Sequence, residues 1–200
     1  MKTIETLVMG PFLTNTYLVK EDGHCLIIDP ASNPRRIMEH VGECKVDAIL
    51  LTHGHFDHIG AVDTLKKKLN CDIYISKEDE EMIYDVQKNA SFMVKPFILE
   101  SKVRHYHNEH TIHSFHFEVL STPGHTKGSV CIIMDDFIFC GDTVFKNGVG
   151  RCDLYGGSYS QIKNSIENIK KLEKDYILYP GHDESTTLLS ELENNPYFQN

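Results

Sequence analysis

Short apolar runs, broken by glycine- and acid-rich turns, recur along most of the chain. Residues 15–20 and 24–29 are two such runs flanking Glu21-Asp22-Gly23, the pattern of a β-hairpin. Residues 46–51 form a short apolar run, interrupted only by Asp47, that ends at Thr52, as a buried strand does. The period then changes. Ile59, Val62, Leu65 and Leu69 fall at helical spacing and predict a helix over 58–69. A strand follows over 71–75. Ser76, with Asp79 three residues on, opens a predicted helix carrying Met82, Ile83 and Val86. Residues 89–99 read as a loop or broken helix around Pro96; Phe92, Met93 and Phe97 there are read as core, with the lining of a substrate mouth as the alternative.

The second half repeats this rhythm. Residues 111–120 alternate, 129–134 and 137–140 form a hairpin across Asp135-Asp136, and a glycine-rich loop covers 148–157. Ser158 and Gln161 make a capping box for a helix over 158–174, with Ile162, Ile166, Ile169 and Leu172 on one face. A last strand over 176–179 and a short acidic helix after Thr187 complete the reading. Strands with amphipathic helices in each half predict a layered α/β fold. Two similar halves would pack face to face within a single domain over 1–200.

Composition changes this picture little. With 40% apolar and 24% charged residues among 200, the chain is of a folded class. Charge matters more: 20 basic against 29 acidic residues give −9. The longest basic block is Lys66-Lys67-Lys68, so no nucleic-acid partner is expected. Bound divalent cations would offset part of the acidic excess. No apolar run approaches a membrane span. Met1 to Thr6 lacks the apolar core of an export signal, and the six cysteines contain no CxxC pair. Both favour a cytoplasmic protein with reduced thiols.

Histidine is the outlier, with 12 residues. Four groups, each at a strand-to-loop boundary, hold the informative ones: Thr52-His53-Gly54-His55-Phe56-Asp57-His58, Thr122-Pro123-Gly124-His125-Thr126, Gly141-Asp142, and Pro180-Gly181-His182. Imidazole and carboxylate together suit zinc, iron or manganese. Seven candidate ligands exceed what one catalytic zinc takes, which points to two divalent cations sharing a carboxylate. Between such a pair a water is activated at neutral pH for attack on a carbonyl carbon. Asp57 and Asp142 are the expected catalytic carboxylates, Asp57 as proton acceptor and orienting group. Thr52, Thr122 and Asp29 are candidates for fixing the imidazoles.

These motifs, with Asn15-Thr16-Tyr17, Asp29-Pro30 and Gly141-Asp142-Thr143, resemble the metallo-β-lactamase-fold hydrolase superfamily. The resemblance implies a four-layer αββα sandwich with metals at the rim between the sheets. It implies that His53, His55 and His125 hold one metal, that Asp57, His58 and His182 hold another, and that Asp142 bridges them. Zinc is the first expectation. Asp57-His58 resembles the thioesterase, glyoxalase II and RNase Z side of the superfamily. Gly150-Arg151-Cys152-Asp153-Leu154 and Gly156-Gly157 resemble a loop of small bacterial glyoxalase II-like proteins, with Cys152 and Tyr155 replacing Thr and Pro. The resemblance therefore implies hydrolysis of a small-molecule thioester such as S-lactoylglutathione. The chain ends at Asn200, without the helical glutathione-binding domain of full-length glyoxalase II, which weakens that particular substrate. Related chemistries on this fold are iron persulfide dioxygenation and RNase Z-like phosphodiester hydrolysis.

Arg151 and Tyr155 are expected near substrate, Arg151 gripping a carboxylate or else pairing on the surface with Asp153 or Glu173. His105, His107, His110, His113 and His116 lack a carboxylate or cysteine at short spacing. They read as the wet face of two strands joined at Asn108-Glu109.

Overall fold

A computed structural model describes residues 2–199. Two six-stranded sheets form its centre. The first runs, edge to edge, β1 (Thr3–Met9), β2 (Thr14–Glu21), β3 (His24–Ile28), β4 (Lys45–Leu50), β5 (Asp72–Ile75) and β6 (Arg104–His105). The second contains β7 (Glu109–Ile112), β8 (Phe115–Ser121), β9 (Val130–Met134) and β10 (Phe137–Gly141), then β13 (Ile177–Pro180) and β14 (Thr186–Thr187) beyond β10. A small ribbon joins β11 (Val144–Phe145) to β12 (Gly148–Val149).

Alternation along the strands builds the layers. Leu26 and Ile28 of β3, and Ala48 and Leu50 of β4, face Val130, Ile132, Met134 and Phe139 in the core between the sheets. Their neighbours point the other way. Cys25, Ile27 and Ile49 pack against Ile37 of α1 (Pro34–Val41) and Val62 and Leu65 of α3 (Val62–Leu69). Cys131, Ile138 and Cys140 pack against Ile166 and Ile169 of α5 (Tyr159–Ile169) and Leu188 of α6 (Leu188–Asn194). The order is helix, sheet, sheet, helix, the expected four-layer sandwich.

Several expectations need correction. The helix over 58–69 is broken into α2 (Phe56–Ile59) and α3. The Ala61 N–H donates to the Pro30 carbonyl at 2.9 Å instead of continuing the helix. A Cβ on Gly60 would sit 2.3 Å from the Ala31 carbonyl oxygen, so only glycine admits that strand-end so close. The helix from Ser76 shrinks to a 3₁₀ turn and α4 (Glu80–Ile83), because Asp79 turns inward. The histidine-rich segment turns at His113-Ser114, not at Asn108-Glu109, and β6 belongs to the other sheet. Phe92 and Met93 are not core: they are 47% and 49% exposed. β1 and α1 were not anticipated, although Asn33 before Pro34 is a cap-and-start signal, and Asn33 accepts from the Arg36 N–H.

Candidate metal centre

Strand direction gathers the four sequence groups. β3 and β4 are parallel, and so are β10 and β13. β8 is antiparallel to β9, which is antiparallel to β10, so β8 and β10 run the same way. The segments after β3, β4, β8, β10 and β13 therefore emerge on one rim. They carry Asp29, His53–His58, His125, Asp142 and His182. The Val130 N–H donates to the Thr52 carbonyl at 3.0 Å and the Asn15 N–H to the Gly181 carbonyl at 2.7 Å, tying the two sheets together there.

Ligand atoms of His53, His55 and His125 lie within 4.8 Å of one another, and those of Asp57, His58 and His182 do the same. Asp142 reaches both trios. Its Oδ1 is 3.4 Å from His58 Nε2, and its Oδ2 is 3.4 Å from His125 Nε2 and 3.5 Å from His182 Nε2. Asp57 Oδ2 is 3.3 Å from His182 Nε2 and 3.6 Å from His58 Nε2. All seven sequence-predicted ligands are thus brought together.

The donor set fits bound metal. His53 Nε2, His55 Nε2, His58 Nε2 and Asp142 Oδ1 are buried without a hydrogen-bond partner, a costly state unless something else satisfies them. His55 Nδ1 and His125 Nε2 face each other at 2.9 Å. Electrostatics agrees. Burial pushes the His53 imidazole down and that of His55 to about 3, and neighbouring imidazoles add to it, leaving both neutral as ligands must be. Burial opposes charge on His58 too, but Asp57, Asp142 and Asp29 surround it and hold it well above the usual range. His182 is likewise desolvated yet raised to about 10 by its bonds to Asp142 and Asp57. Burial would raise both carboxyls; instead His58 and His182 pull Asp57 to about 2 and Asp142 well below its ordinary value. Protons on His58 and His182 compensate buried carboxylates, and these are the protons a divalent cation displaces.

Four of the five imidazoles, all but His55, are aimed by their other nitrogen. His58 Nδ1 pairs with Asp29 Oδ2 at 2.9 Å, while the Asp29 carboxylate also accepts from the Thr52 N–H at 2.8 Å and the Thr52 hydroxyl at 2.6 Å. Asp29 sits at φ 48, an uncommon conformation held by its N–H bond to the Leu50 carbonyl. His53 Nδ1 meets Thr52 Oγ1 at 3.1 Å; His125 Nδ1 meets the Arg151 carbonyl at 2.8 Å; His182 Nδ1 meets the Phe12 carbonyl at 2.9 Å. Of the three orienting candidates, Asp29 and Thr52 reach imidazoles. Thr122 instead bonds Thr143 and Cys131.

Two supports were missed. Asn15 Nδ2 donates to the Pro180 and Asp183 carbonyls, fixing the chain on both sides of His182. Asp79 is fully buried and accepts from the Gly54 N–H at 3.0 Å, the Gly128 N–H at 2.7 Å and the Thr126 hydroxyl at 2.7 Å. It therefore clamps the loop of His53 and His55 to the loop of His125. In sequence it resembled an ordinary helix-cap acid. Asp79→Ala leaves the buried Gly54 and Gly128 N–H groups unpaired, and unfolding in urea should show a loss of about 2 kcal/mol or more. Titration with zinc should show affinity weakened by about 10- to 100-fold, although no ligand is altered.

Arg151 and Tyr155 are less central than expected. The Arg151 guanidinium is bidentate to Asp153, with both contacts at 2.7 Å, and only its carbonyl reaches the centre. The Tyr155 hydroxyl donates to Glu81 at 2.7 Å. Of the five clustered histidines, His105 pairs with Glu80 and His116 with Thr111, away from the seven ligands.

Residues 9–182 match the family model of the metallo-beta-lactamase superfamily. The chain belongs to this superfamily. It is a metallo-hydrolase of that fold. "Probable metallo-hydrolase YqgX" of Bacillus subtilis (strain 168) is 34% identical over 198 residues, covering 94% of each chain. "Hydroxyacylglutathione hydrolase GloC" of Haemophilus influenzae is 31% identical over 205 residues, covering 97% of each. Among solved structures, the BLEG-1 B3 metallo-β-lactamase superposes with a TM-score of 0.95 at 31% identity, over 99% of this chain and 100% of that one. Among the described residues, no helix is long and apolar enough to cross a membrane.

Proposed function

We propose that this metallo-hydrolase cleaves thioesters, with two divalent cations, zinc foremost, held by His53/His55/His125 and Asp57/His58/His182 and bridged by Asp142. The observation carrying the two-cation reading is the reach of the Asp142 carboxylate to both trios. The thioester class is favoured by likeness to the Haemophilus hydroxyacylglutathione hydrolase along nearly the whole of both chains.

Bound cations supply Lewis acidity and a nucleophilic water at neutral pH. The chain's own residues do the rest. The side chains of Asp57 and His182 are 14% and 21% exposed, whereas His53 and His58 are fully buried, so substrate approaches from the Asp57–His182 side. The Thr14 hydroxyl donates to Asp57 Oδ2 at 2.9 Å and holds that carboxylate in place to orient a water and accept its proton. The substrate is a small molecule, with no nucleic-acid partner, given the −9 charge. Six free cysteines suit a reducing compartment, the cytoplasm.

The test is a substrate panel on purified protein together with metal analysis. We expect about two metal ions per chain and thiol release from S-lactoylglutathione or another glutathione thioester, lost on chelation and restored by zinc. Nitrocefin hydrolysis without thiol release would replace the reading with a β-lactamase. Oxygen uptake on glutathione persulfide would replace it with a dioxygenase.

A further inference from the structure

The approach to the metal centre has two walls of opposite polarity. On the His125 side the chain presents the Arg151–Asp153 ion pair and the Tyr155 hydroxyl on Glu81, with Lys88 also on Glu81. On the Asp57 side lies a cavity of about 380 Å³ lined almost wholly by carbon, with Met9, Phe12, Phe56, Val94 and Phe97 in its walls. Asp57 itself is part of the lining, so the cavity adjoins the centre. The rings of Phe12 and Phe56 meet edge to face, 5.1 Å apart, and stiffen one wall. Its lining is open to solvent in part: Phe12 is 44% exposed and Val94 52%. A hydrolase gains nothing from apolar surface left in water beside its reacting groups, unless substrate covers it.

A thioester has two halves. The thiol half is carried in cells by peptides and nucleotides, which are polar and charged. The half able to be wholly hydrocarbon is the acyl group. Polarity matching places the thiol carrier along the Arg151 side and the acyl chain in the carbon-lined cavity. A lactoyl group, with only three carbons, would leave that cavity largely unfilled.

We infer that the cavity beside Asp57 is an acyl subsite selecting medium-length aliphatic acyl chains over short hydroxyacyl groups. This inference rests on the thioester reading above. It assigns Met9, Phe12, Phe56, Val94 and Phe97 to substrate selection.

The experiment uses the zinc-loaded protein and one thiol, glutathione, with lactoyl, acetyl, butanoyl, hexanoyl and octanoyl groups. Burial of each methylene is worth about 0.8 kcal/mol, so kcat/KM should rise about fourfold per CH₂ along the aliphatic series. Val94→Asp and Ser32→Phe, one placing charge in the lining and the other filling space, should each cut the octanoyl-to-acetyl ratio about tenfold. A second measurement needs no turnover. Octanamide should shift the amide NMR signals of Gly10, Ala31 and Gly60 saturably, and acetamide should not. A flat series, or lactoyl as the preferred group, overturns the inference and leaves the thioester reading standing. Thiol release from no thioester overturns that reading; octanamide binding then still supports an aliphatic-chain site, and its failure overturns that as well.

Discussion

Asp142→Ala should lower kcat/KM by about 10³-fold or more, since it withdraws the one carboxylate shared by both trios and with it the charge that holds the reacting groups. Among the described residues Asp142 has oxygens directed at His58 on one side and at His125 and His182 on the other. Its Oδ1 is buried without a hydrogen-bond partner, so its place in the fold is explained by what it binds. Removing it leaves His125 without its neighbouring carboxylate and the two trios without a shared one, so metal content should fall below that of the parent. The fold should survive. The turn carrying Asp142 is fixed by the Thr143 N–H to the Cys140 carbonyl at 3.1 Å, a backbone bond that alanine keeps. Far-ultraviolet circular dichroism and metal analysis on the same sample separate the two effects. Asp142→Asn retains one oxygen but loses the charge, and should fall between. A fully active, metal-replete alanine variant would refute the bridging role.

Gly181→Ala should be almost as damaging, although it alters no ligand. A Cβ there would lie 2.1 Å from Asp142 Oδ1 and 2.7 Å from His58 Cε1. The backbone cannot slide away. Gly181 donates to the Gly141 carbonyl at 2.8 Å and its own carbonyl accepts from Asn15 at 2.7 Å. The Asp142 carboxylate must therefore move, and a displacement of about 1 Å at a reacting group costs about 10²-fold in rate. Overpacking adds about 1–3 kcal/mol of destabilisation, readable as a lower midpoint in urea. Gly148→Ala is the matched control. Its Cβ would meet only Phe145 Cβ, at 4.0 Å, so activity and stability should remain near those of the parent. Equal losses in the two variants would show that the effect is not steric pressure on Asp142.

Gly181 shows what was hard to read in the chain. A Gly-His pair is unremarkable in a sequence, and the reason for the glycine lies in Asp142, 39 positions earlier. Asp79 is a similar case. Its spacing from Ser76 marked it as a capping acid, and Ser76 does accept the Asp79 N–H at 3.3 Å. Nothing local announces that its carboxylate reaches Gly54, Thr126 and Gly128, up to 49 residues away. Arg151 carried two readings in the sequence, a substrate grip or an ion pair with Asp153 or Glu173, and the fold shows its guanidinium bidentate to Asp153.

What the chain reveals without its fold is everything written at short range. Alternation of two marks the strands and the sheet faces. The Asp22-Gly23 turn, with both residues at positive φ, marks a hairpin. The run from His53 to His58 announces metal chemistry because four candidate ligands, three histidines and an aspartate, crowd into six positions. Folding settled the rest: which Asp142 oxygen faces which trio, that Asp29 rather than Thr122 aims an imidazole, and that Phe12, Phe56 and Phe97 enclose a cavity beside Asp57. These depend on partners tens to more than a hundred residues apart, brought within a few ångströms by parallel strands ending on one rim. No local period encodes such distances; they exist only once the two sheets have closed on their shared core.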